Sequence, residues 1–260
     1  MGLGTIAGSA GALQVDDGGS GATPILFVHS YGGSRKHWSA QLAHVRHDHR
    51  AAAMDLRGHG GSTPPSDNDW SIEALASDIG EVADGLGFDH FVLVGHSLGA
   101  AAASAYAGTH NDRVCGLMLV GAPGKVARPV ARDIMTAMSA DFDKVSSDYW
   151  EKLLQNAKPH VREIVHEGMQ AMGRDPGLKL IQAVFDDDPL VGLRRFHGPV
   201  LLISTPHGNS PSDLQNLMPD LPNKMMVGTS HWVQMDKPDE FNLIMDSFLA
   251  RVDQGSKVSV

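Results

Sequence analysis

The chain of 260 residues holds one cysteine, Cys115, so no intrachain disulfide can form. Cys115 sits in the apolar, strand-like run 114–120, where a lone thiol reads as buried and structural. Positive charge is scarce as well: 21 Lys and Arg against 30 Asp and Glu leave a formal net charge of −9. Nucleic acid and anionic membrane surfaces both need a positive face, so neither is expected as a partner. No stretch approaches the ~20 apolar residues of a membrane span. Residues 1–7 lack the basic start and apolar core of a secretion signal, and a cytoplasmic protein is expected. There is no phosphate-loop lysine, no dinucleotide fingerprint, no internal repeat and no low-complexity segment. His37, His44, His47 and His49 lie close in sequence, but no cysteine and only Asp48 accompany them. They read as a helix face and loop in solvent, and no metal or other cofactor is expected.

What is present fits one soluble α/β domain with room for an insertion: 42% of residues are hydrophobic and 20% charged. Residues 1–24 read as an edge hairpin around a Gly- and Asp-rich turn. Residues 24–28 and 50–55 read as buried strands, the first followed by a helical stretch from 36 to 43. Ser71 reads as the N-cap of a helix ended by Gly85 and Gly87. Strands follow at 91–95 and around Cys115. This alternation of strand and helix predicts a parallel sheet wound by helices, with loops at the strand C-termini free to form a site. Between Gly124 and about Asp188 helical patterns dominate. We read a helical cap at 124–189 inserted into a core made of 1–123 and 190–260. In the second part of the core, 198–204 and 224–228 read as strands, and 211–218 and 238–251 as helices.

Residues 91–101 run from an apolar strand through Gly95-His96-Ser97-Leu98-Gly99 into an alanine-rich helix. A serine flanked two residues away by glycines, at a strand-to-helix corner, presents its hydroxyl above the sheet edge. A hydroxyl is a poor nucleophile until a base takes its proton. Of the 14 histidines, His231 is the candidate base, because it follows the last apolar strand and so reaches the same sheet edge. Acyl transfer also needs two preorganised N–H donors. Leu98, directly after the serine, offers one; Tyr31, in the loop 29–33, is the candidate for the other, with Ser30 as the alternative.

The loop 29–33, the run Asp55-Leu56-Arg57-Gly58-His59-Gly60-Gly61-Ser62, the turn at Ser97 and the run 230–238 together resemble the α/β-hydrolase superfamily with a helical cap. The resemblance spans residues 25–250. It implies a mostly parallel, twisted sheet wound by helices, an activated serine at Ser97, the oxyanion-binding roles of Leu98 and the loop 29–33, and a loop-packing role for His59. Two departures stand out. Ser30 occupies the place where the family has the glycine of a His-Gly pair. The family's carboxylate behind the histidine is missing from both usual places, after 200–204 and after 117–120. Asp213 is the nearest acid and is taken as the third catalytic residue. Asn209 or His207 orienting His231, or a Ser-His dyad, stay open, and Asp236 reads as a helix-start residue.

These readings give a hydrolase of a small, largely apolar carboxylic ester or lactone, with Ser30, Trp150 and Trp232 expected against the substrate. C–C bond hydrolysis of diketone-like compounds on the same scaffold is a second reading. A member that binds a small ligand with little or no turnover is a third. The sequence leaves the oligomeric state open.

Overall fold

The structure is a computed structural model and describes residues 2–206 and 210–256, without the side chains of 255 and 256. Its centre is an eight-stranded sheet of order β1-β2-β4-β3-β5-β6-β7-β8. The strands are β1 Gly2–Ala7, β2 Ala12–Gly18, β3 Ala22–Val28, β4 His49–Met54, β5 Phe91–His96, β6 Val114–Val120, β7 Val200–Ser204 and β8 Asn223–Met225. β1 and β2 form the antiparallel hairpin, and β2 joins β4 antiparallel. Every other pairing is parallel.

The central strands are near-continuous apolar runs because both faces of a parallel sheet are covered. Side chains alternate between two layers. Leu26, Val28, Phe91 and Leu93 face one core, which contains Leu75, Ile79 and Tyr106. Ile25, Phe27, Val92 and Val94 face the other, which contains Trp38, Phe241 and Phe248. The first layer is closed by α2 (Ile72–Leu86) and α3 (Leu98–Thr109), the second by α1 (Ser39–Val45) and α11 (Pro238–Ser256). Ser71 does cap α2, its hydroxyl accepting the Ala74 N–H at 3.1 Å, and Gly87 ends the helix at φ 67°.

Between β6 and β7 stand five helices: α4 Arg128–Ala140, α5 Phe142–Leu153, α6 Pro159–Met172, α7 Arg174–Asp186 and α8 Pro189–Arg195. α8 lies close on α3; a Cβ at Gly192 would meet the Ser104 carbonyl at 2.2 Å. α5 and α6 close over a small third core of Leu154, Val161, Val165 and Trp232.

Several element bounds differ from the sequence expectation. The stretch 36–43 splits into a 3-10 turn at Arg35–Trp38 followed by α1. The helix expected over 211–218 is only α9, Leu214–Leu217, because Ser210 and Asp213 bond to each other's segment and hold the preceding residues in turns. β8 stops at Met225, short of Gly228, which sits at φ 66°. His37 is not on a solvated face: it is 4% exposed, its ring edge-on to His29 at 6.5 Å. Among the described residues no helix is long and apolar enough to cross a membrane.

Candidate active site

Ser97 lies between β5 and α3 with φ 52° and ψ −112°, a conformation that disfavours any side chain. The surroundings hold it there. Its N–H donates to Val120 O at 2.8 Å, tying the corner to β6, and its carbonyl accepts Ala100 N at 2.9 Å and Ala101 N at 3.1 Å. The two flanking glycines are a steric requirement. A Cβ on Gly95 would lie 2.4 Å from Gly99 O, and one on Gly99 would lie 2.5 Å from His29 O. The turn therefore presses α3 against the end of β3. The first N–H groups of α3, Leu98 among them, have no acceptor within the helix.

His231 follows β8 and is 8% exposed. Its ring stands over Gly121, just past β6; a Cβ there would meet His231 Cε1 at 2.6 Å, and Gly121 itself has φ 50°. Ser97 and His231 line one cavity of about 120 Å³ together with Asp213, Tyr149, Thr205 and Gln215. Asp213 is the one acidic side chain lining it among the described residues. Its Oδ2 accepts the Ser210 N–H, and partial burial raises its pKa above the usual carboxylate value. His207 and Asn209 lie outside the described residues.

Behind these groups lies a layer the sequence did not announce. His96 Nε2–H donates to His231 O at 3.0 Å, and its Nδ1 accepts from Gln234 Nε2 at 3.2 Å. Both nitrogens are thus used by the neutral ring; burial, then the nearby His231, holds its pKa well below the ordinary value. His29 behaves alike: Nδ1–H donates to Ser30 O at 2.7 Å and Nε2 accepts Leu56 N–H at 3.0 Å. That pair fixes the candidate oxyanion loop 29–33 to the end of β4. His59 packs 5.0 Å from His29 and donates to Arg57 O at 2.9 Å. Arg57 in turn makes a buried two-pronged ion pair with Asp78, both contacts 2.6 Å. A His at the C-terminal end of each of two adjacent parallel strands, the last residue of β5 and the first after β3, was the available sequence signal for His96 and His29.

The other expected substrate contacts are placed differently. Trp232 is 1% exposed, and its indole N–H donates to Ser30 Oγ at 3.3 Å. Ser30 is itself 2% exposed, so its hydroxyl serves as an acceptor inside the protein. Trp150 stacks on the Tyr31 ring at 5.0 Å and 17°. None of Ser30, Trp150 and Trp232 lines the cavity at Ser97, whereas Tyr149 does. Trp232, directly after His231, is expected against the substrate from the sequence, but the pocket of Val161 and Val165 from α6 takes its ring. The cavity is also less apolar than expected, since Tyr149, Ser204, Thr205, Asp213 and Gln215 line it beside Ser97 and His231.

A family model described as the alpha/beta hydrolase fold matches residues 23–149. "Epoxide hydrolase 3" of Xenopus tropicalis is 27% identical over 261 residues, covering 86% of this chain and 71% of that protein. "Esterase YbfF" of Escherichia coli (strain K12) is 26% identical over 231 residues, covering 84% and 89%. Among solved structures, a thermophilic esterase from Thermogutta terrifontis superposes with a TM-score of 0.82 at 20% identity, covering 97% of this chain and 100% of that one.

Proposed function

We propose that this chain, a protein of the α/β-hydrolase fold, is a cofactor-independent serine hydrolase of small carboxylic esters or lactones. The observation that carries the reading is Ser97 held at φ 52° on a strand-to-helix corner, in one small cavity with His231. His231 takes the Ser97 Oγ proton as the oxygen attacks the acyl carbon. The Leu98 N–H, with Tyr31 N–H as its partner, stabilises the oxyanion. His231 then gives its proton to the leaving oxygen, and the alcohol departs. Water, deprotonated by the same imidazole, cleaves the acyl-serine and restores Ser97. Asp213 is the candidate to orient the imidazole, from its place in the same cavity. The acyl part is small, since the cavity measures about 120 Å³, and its polar wall suits an oxygen-bearing acyl group better than a long alkyl chain.

Epoxide opening, the activity in the Xenopus relative's name, fits a serine poorly. Attack by a hydroxyl on an epoxide carbon leaves an ether, which water and imidazole do not cleave. Attack on an acyl carbon leaves an ester, which turns over. The test is p-nitrophenyl acetate hydrolysis together with labelling by a small fluorophosphonate. The wild type hydrolyses the ester and is labelled at Ser97; Ser97→Ala does neither and keeps its cooperative unfolding. Turnover retained by Ser97→Ala removes the assignment.

A further inference from the structure

Asp236, five residues after the base, ends the one-turn helix α10 (Val233–Asp236) and is 1% exposed. Its carboxylate is not turned outward as a helix-start acid would be. Oδ2 accepts the Ser230 N–H at 2.7 Å and the Ser230 hydroxyl at 2.5 Å, and Oδ1 accepts the Lys158 N–H at 2.9 Å. Ser230 Oγ accepts the Trp232 N–H at 3.1 Å in return. Both chain neighbours of His231 are therefore held, directly or through one hydroxyl, by a single carboxylate. His231 itself donates its N–H to Leu153 O, at the end of α5, at 3.0 Å. The segment 153–158, where α5 passes into α6, thus bonds to the histidine loop at both of its ends.

A four-residue helix cannot hold its own shape. Among the described residues no Lys or Arg pairs with Asp236. Its charge is satisfied by three donors that all belong to the histidine loop or to the foot of the inserted helices. Such charge-assisted bonds are the strong ones, and they are spent where the placement of His231 is decided. We propose that Asp236 is a positioning residue for His231, acting through Ser230 and Trp232, and that it couples the imidazole's place to the inserted helices at Lys158. The proposal rests on the serine-hydrolase reading of Ser97 and His231. One consequence is that the 153–158 foot belongs mechanically to the base, not to a part that opens.

Lys158 provides a clean probe. It sits at φ −61° and ψ 150°, where proline fits, so Lys158→Pro removes the N–H, while Lys158→Ala keeps it. p-Nitrophenyl acetate kinetics are measured well below each variant's Tm, with kcat expressed per site titrated by the fluorophosphonate. Lys158→Ala keeps wild-type kcat. Lys158→Pro lowers kcat by about tenfold and Asp236→Asn by about 10- to 100-fold, with KM nearly unchanged, because a misplaced base slows chemistry rather than binding. The rate of Ser97 labelling falls in parallel. A purely structural brace lowers Tm but leaves kcat per titrated site intact, and that result overturns the proposal. If Asp236→Asn does not fold, Lys158→Pro decides alone. A wild type that is never labelled at Ser97 overturns the serine reading and this role with it. A labelled wild type with unchanged variants overturns only the role of Asp236.

Discussion

Gly99→Ala isolates the contact between the serine turn and the sheet. The added Cβ would lie 2.5 Å from His29 O and 2.6 Å from Val28 O, both main-chain atoms that no side-chain rotation can move aside. To reach an ordinary contact of 3.4 Å, the start of α3 must retreat from β3 by about 0.9 Å. Overpacking of this kind costs about 1–3 kcal/mol. In a chain of this size that lowers Tm by roughly 2–12 °C. The same retreat displaces the Leu98 N–H from the candidate oxyanion position, and a misplacement near 1 Å costs about 10²-fold in turnover. Calorimetry gives the first quantity, and kcat/KM for p-nitrophenyl acetate per titrated site gives the second. Gly87→Ala is the comparison: φ is 67° there, but nothing lies within 4 Å, so it carries backbone strain of about 1 kcal/mol and no loss of turnover. A Gly99→Ala enzyme with unchanged Tm and kcat/KM within about threefold of wild type would refute the reasoning.

Two further outcomes are expected. If Asp213 orients His231, Asp213→Asn lowers kcat by about 10³- to 10⁴-fold, as a wrong imidazole tautomer does; a loss under about tenfold removes Asp213 from that role. The buried histidines make stability fall in acid. Burial, with neighbouring histidines second, holds His29 and His96 well below their ordinary pKa and His37 near about 4; burial alone brings His59 to about 4, against the Arg57 carbonyl and Asp55, which pull it up. The unfolded chain therefore binds more protons, so stability is complete above about pH 6.5 and declines as pH falls towards 4, by at most about 1.4 kcal/mol per pH unit for each ring. Asp187, raised by burial to about 6, works the other way and offsets part of the loss. Urea midpoints at pH 7.5, 6 and 5 check the sum; a midpoint that holds or rises towards pH 5 contradicts it.

Local chemistry made much of the fold legible. The strands β3, β5 and β6 are apolar runs because both of their faces are covered, and the turn at Ser97 is written in Gly95 and Gly99, whose missing side chains the packing demands. Ser71 and Gly87 punctuate α2 as cap chemistry dictates. What stayed hidden depends on contacts between residues far apart in sequence. Trp232 next to the base suggested a substrate contact, yet α6 provides a core for it some seventy positions earlier in the chain. Asp236 read as a helix-start acid because the short α10, which folds its carboxylate back onto Ser230, has too few residues to show a period. The Ser30 hydroxyl could not be assigned without knowing that an indole N–H would face it. His37 looked solvated because the ring that stands edge-on to it, His29, belongs to another loop.

The order of strands bears on how the site comes into being. β1 to β6 are one contiguous block of the sheet and also the first 120 residues, while β7 and β8 add to one edge afterwards. The serine turn can close on β3 and β6 as soon as that block pairs, because all of its bonds lie within it. His231 then arrives from the other side of five helices, and the bond from His96 to its carbonyl spans 135 positions. Contacts of such separation form late in folding. On the proposed roles, the turn that carries Ser97 is complete before His231 reaches it, and reactivity is expected only once the edge strands and the helices between β6 and β7 have docked. An intermediate stalled before that step would be compact and largely native in its sheet, yet without His231 in place.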